Sequence, residues 1–185
     1  YEGSDGWENG VDIIALSEDP FALLDAVTPV NANDAKINGW ELAWQHFFGE
    51  TGFGVQANAT LVSGSVSYDV SDASGNAQFA LTGLSDSANL VLIYEKDDFN
   101  ARITYNWRDE FLNNANAGGN EPEFTEAFQQ VDFSIGYNIS ENWSVSLEGI
   151  NIFDEDIRRF GRSERQFRSL EILGARYALS TRYTF

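Results

Sequence analysis

Five arginines, Arg158, Arg159, Arg162, Arg165 and Arg168, crowd into one short stretch of a chain with only 11 basic side chains in all. Guanidinium forks at that density suit carboxylates and phosphates. They could capture an anionic ligand such as an acidic sugar, touch the phosphates of a lipid surface, or pair with the chain's own acids. Internal pairing ranks first, because 29 Asp and Glu leave a net charge of −18. A second cluster runs from Asn113 through Asn114 and Asn116 to Gly119. Its amides both donate and accept, which suits the hydroxyls of a small-molecule nutrient, although a mobile loop tip is the plainer reading. Glu41, Asp132 and Glu148 could serve acid–base chemistry. They share a face with Arg102, Arg176 and Arg182, so charge ladders along an aqueous wall are the expected arrangement.

Other chemistry finds little support. The chain has no cysteine and one histidine, so thiolate nucleophiles, Cys-based metal sites and disulfides are excluded, and no catalytic centre, metal or cofactor is expected. His46 falls beside Phe48 in an apolar register and reads as an interfacial residue rather than a base. The Asp69–Gly75 stretch is spaced like part of a calcium loop, but Ala80 stands where a bidentate Glu belongs, so a solvated turn is expected. The sequons at Asn58, Asn138 and Asn142 lie on or beside predicted strands and carry no weight. So acidic a chain is not a nucleic-acid partner. With 43% apolar and 14% aromatic residues it is not disordered either.

The elements that hold these residues follow from a period of two. Along Phe99–Arg108, Phe99, Ala101, Ile103, Tyr105 and Trp107 alternate with polar residues, including Arg102 and Arg108. A strand separates such sets onto two faces, whereas a helix scatters them. The same alternation predicts seven strands, at about 35–48, 53–62, 87–95, 99–108, 128–139, 143–153 and 171–185. Short turns at Gly49–Gly52, Lys96–Asp98 and Ser140–Asn142 alternate with long stretches at Ser63–Asp86, Asp109–Glu126 and Asp154–Leu170. Aromatics on the apolar face gather beside the short turns, as in the girdle of a transmembrane barrel. The opposite face carries Gln56, Asn58, Asn89, Arg102, Asn106, Arg108, Asp132, Glu148, Arg176 and Arg182, which implies a wide, wet or plugged lumen. Seven strands cannot enclose one, so a larger barrel is expected. Residues 1–34 hold eight acids and no base, and read as an extracellular loop with a short helix at 19–27 opened by Asp19-Pro20. The start at Tyr1, without a leader, reads as a processed end or a piece of something longer.

The stretches Gly39–Gln45, Tyr105–Phe111, Asn151–Asp154 and Arg176–Phe185 resemble, in order, the C-terminal barrel of TonB-dependent outer-membrane receptors. That resemblance implies an all-β, antiparallel transmembrane barrel of 22 strands, of which these would be about the last seven. The plug domain and the segment that contacts TonB would lie outside this chain. It further implies active import of a scarce nutrient across the bacterial outer membrane, with carbohydrate slightly ahead of ferric siderophore and a passive porin as the alternative. The C-terminus would be periplasmic. Tyr177, Leu179, Tyr183 and Phe185 are similar to the signal read by the barrel-assembly machinery.

Overall fold

The computed structural model describes residues 34–185. The stretch before them, including the helix expected at 19–27, lies outside the described residues. Eleven strands follow: β1 (Ile37–Phe47), β2 (Phe53–Gly64), β3 (Ser87–Lys96), β4 (Phe99–Arg108), β5 (Phe111–Ala117), β6 (Glu121–Thr125), β7 (Phe128–Ser140), β8 (Trp143–Ile150), β9 (Ile157–Phe160), β10 (Phe167–Glu171) and β11 (Arg176–Tyr183). Seven of them form one sheet in the order β1-β2-β3-β4-β7-β8-β11, and the other four a second sheet in the order β10-β9-β6-β5. Every pairing is antiparallel. The large sheet is open, with β1 and β11 at its edges.

The alternation explains why these strands lie in this register. Partners run from His46 to Val55, Leu92, Ile103, Phe133, Gly149 and Tyr177, an apolar row across all seven strands. Three residues along the strands, Asn58, Asn89, Asn106 and Gln130 form a row on the other face. A slip of one residue would exchange the faces, so the pattern fixes the register. Gly54 helps on the polar face, where a Cβ would meet the Phe47 ring of β1 at 2.6 Å.

Burial is inverted relative to a water-soluble sheet. Trp40, Leu42, Ile103, Tyr177 and Leu179 stand out from the apolar face, Leu179 at 81% exposure and Trp40 at 75%. The buried residues gather instead around the small sheet: Tyr68, Leu112 and Ala115 form a cluster against Ala80 and Phe124, and Phe160 stacks on Phe124 at 5.5 Å. Water does not tolerate so wide an apolar band, and lipid does.

Several sequence expectations are corrected. The stretches Asp109–Glu126 and Asp154–Leu170, read as loops, carry β5, β6, β9 and β10. The strand expected to run to residue 153 stops at Ile150, because Asn151 adopts φ 54° and turns the chain. The last wall strand begins at Arg176, since Phe167–Glu171 is spent on β10 and Gly174 turns at φ 69°. The Asn113–Gly119 segment is not a free tip: its first five residues complete β5.

Candidate functional site

All three long connections, β2 to β3, β4 to β7 and β8 to β11, leave from one end of the large sheet, and there the small sheet forms. The short turns close the opposite end. Arg162 ties the connections together. Its Nε donates to Glu121 Oε2 at 2.8 Å, and its terminal nitrogens donate to the Tyr68 hydroxyl, the Val70 carbonyl and the Asp72 carbonyl. These partners lie about 90 residues away along the chain except for Glu121. The hydrogen bond from Arg162 holds Glu121 below the ordinary carboxylate range, and Glu121 in turn raises Arg162. Asp69 and Asp72 are lowered too, chiefly by hydrogen bonds from Ser71 and from the Ser74 backbone. The calcium-like spacing is thus spent on two Asx turns, in which each carboxylate caps the residue two positions on.

The other loop arginines divide. Arg158 pairs with Glu126 and also donates to the Glu164 carbonyl, and Arg159 pairs with Glu171 at 3.2 Å. With Arg162–Glu121, these are the ion pairs of the described residues. Arg168 keeps Nε and one terminal nitrogen buried without a partner, and Arg165 lies exposed in the turn before β10. The amides are engaged as well. Asn113 donates to Glu123 Oε1 at 2.6 Å, Asn114 accepts from the Asn116 backbone, and Asn116 clamps the backbone of Gln78 through both ends of its amide.

On the polar face the expected charge ladders do not form. Arg102, Asp132 and Glu148 line one recess of about 180 Å³ without closing an ion pair. Arg182 lies with Glu141 and Asp98 along another near the short turns, and Arg176 is exposed at the start of β11. Asp132 accepts from Gln130 and from the Asn151 backbone, while the Asn151 side chain, in a residue only 2% exposed, grips the backbone of Glu155. Asp132 is therefore a clasp on the exit of β8 rather than a rung. Sequence reasoning assigned it no such role; the turn-forming pair Asn151 and Asp154, directly after a strand, is the signal that marks it. Arg108 donates to Ser85 Oγ and the Gly83 carbonyl, and its guanidinium lies 3.8 Å above the Phe111 ring, joining two connections.

The opposite end of the apolar face carries a rim of aromatics. Phe53 meets Tyr94 at 4.7 Å, Tyr94 meets Phe99 at 5.8 Å, and Trp143 donates its indole N–H to Thr181 at 2.8 Å. His46 stacks on Trp44, meets Phe48 edge to face and shares the apolar register. Apolar bodies with polar tips are what a membrane interface selects.

Residues 8–152 match the family model described as TonB dependent receptor-like, beta-barrel. The chain belongs to this family. The match runs to just past the close of β8, so β9, β10 and β11 lie beyond it. No curated protein and no solved structure matched the chain. Membership makes the seven-stranded sheet a wall segment of a TonB-dependent receptor barrel in the bacterial outer membrane. It also brings partnership with a plug and with TonB. The family's members are transporters rather than enzymes, and a passive porin is not favoured.

Proposed function

We propose that this barrel segment belongs to an active transporter that imports a scarce nutrient, a neutral carbohydrate ahead of a ferric siderophore. In this reading the short turns and the C-terminus are periplasmic, and the small sheet stands at the extracellular mouth, in reach of lipopolysaccharide. Tyr177, Leu179, Tyr183 and Phe185, all exposed on β11 and beyond it, present the signal for the barrel-assembly machinery. The observation that carries the substrate preference is the use of the loop arginines: Arg158, Arg159 and Arg162 each hold a carboxylate of the chain itself. Cations already neutralised attract an anionic chelate weakly, and a net charge of −18 repels it. Cells carrying the whole receptor should bind and accumulate a labelled neutral oligosaccharide, and a protonophore should stop accumulation while leaving surface binding. Uptake that persists without energy would instead mark passive diffusion.

A further inference from the structure

We infer that the ligand is gripped on the inner wall, by the amide row Asn58, Asn89 and Asn106, and not by the asparagines of the mouth. This rests on the reading of the barrel as a carbohydrate importer and assigns that importer a binding surface. The mouth amides are occupied, as Asn113 is held by Glu123 and Asn116 by Gln78. The wall amides are tied only to one another, and half of that pair's capacity stays open. Among the described residues Asn89 Nδ2 donates to Asn106 Oδ1 at 2.5 Å, which leaves the Asn89 carbonyl oxygen and the Asn106 amino group to a ligand. The exposed Asn58, partner of Asn89 across β2 and β3, adds a full amide. Together they offer donors and acceptors in one line, the pattern that a run of sugar hydroxyls answers.

Position and charge point the same way. Asn89 is the third residue of β3, and Asn106 stands two residues before the end of β4. The row therefore lies toward the end of the wall from which the long connections depart, one same-face row below Thr60, Ser87 and Arg108. It lines a recess of about 190 Å³ with Thr60, Ser87, Ala59, Ala88 and Trp107, a lining without a charged residue. Gln130 continues the row on β7 and donates to Asp132, which keeps that carboxylate engaged. An uncharged lining inside so acidic a chain favours a neutral ligand over an anion.

The test uses the whole receptor assembled in outer membranes. Binding is measured for matched neutral glucan, xylan and mannan oligosaccharides and for oligogalacturonate. One variant carries Asn58→Ala, Asn89→Ala and Asn106→Ala together, a second carries Asn113→Ala and Asn116→Ala, and a third carries Asn106→Asp alone, which keeps the shape and loses the donor. The expected result is a neutral oligosaccharide whose Kd rises at least about tenfold in the wall variant, a few hydrogen bonds' worth. The Asn106→Asp variant should weaken it in the same direction, and the mouth variant should change it by less than about threefold. Neutral binding untouched by the wall variant, or lost equally with the mouth variant, would overturn the inference and leave the carbohydrate reading standing. Binding of oligogalacturonate alone would overturn both. Loss of the assembled, heat-modifiable receptor in the triple variant shifts the decision to Asn106→Asp.

Discussion

The seven-stranded wall and the four-stranded layer at its mouth are made from the same chain by opposite rules. The wall puts its large apolar side chains outward, with Ile103 and Leu179 exposed, and it has no interior of its own. The layer buries Leu112, Ala115, Phe160 and Tyr68 and ties its inner strands β6 and β9 with arginine–carboxylate pairs, as a small water-soluble sheet does. One region trusts its apolar surface to lipid; the other hides it from water. Each is what its solvent dictates, since a bilayer leaves no water to satisfy an open backbone and an aqueous mouth leaves no lipid to cover a bare leucine. Loop polarity here is spent on holding loops.

Substitutions should separate the two regions. The largest effect belongs to the layer's core: Phe160→Ala should cost it about 3–5 kcal/mol. Hydrogen exchange should then open β5, β6, β9 and β10 while β2, β3 and β4 stay protected. Loss of protection across the wall as well would show that the regions are one cooperative unit. Next, Ile103→Arg on the apolar face should cost about 2–4 kcal/mol at the bilayer midplane, whereas its neighbour Thr104→Arg, aimed into the lumen, should be tolerated. Equal costs, read from urea unfolding in lipid, would erase the distinction between the faces.

Acidification acts on the layer more gently. Glu121 is held below its ordinary value in the folded state by Arg162, so its contribution is present above the unfolded carboxylate value. It is lost as pH falls through the depressed folded value. Exchange in β6 and around Tyr68 should therefore rise only in strong acid, and Glu121→Gln should remove that rise. Glu110 runs the other way. Burial raises it first, and then Glu164, Asp109 and Glu126. Its contribution is present below the ordinary value and lost as pH climbs through the raised one, so Glu110→Gln should stabilise the layer slightly at neutral pH and have no effect in acid.

How much of this was legible in the sequence follows from strand length. Ten or more alternating residues, as in Phe99–Arg108, announce a strand and both its faces, and the wall's rows follow from them. The layer's strands are four to seven residues long and interrupted by register shifts beside Asn114 and Phe167. Pro122 lies in β6 where the ladder to β5 is broken, a place that tolerates its missing N–H. No period survives in such pieces. The amides of Asn113 and Asn116 invited a ligand because composition cannot reveal that Glu123 and Gln78 reach them first. The ladder expected of Asp132 failed for a similar reason: Gln130 and the turn at Asn151, the latter adjacent only in space, claim its oxygens.

Face-selective labelling tests the membrane wall most directly. Single cysteines at Ile103, Thr104, Leu179 and Ser180 are placed in the assembled receptor, within a stretch of 185 residues that has no cysteine of its own. A charged maleimide should react at Thr104 and Ser180, which share the polar face, and lipid should shield Ile103 and Leu179. Equal reaction at all four positions, or the reverse pattern, would contradict the wall described here.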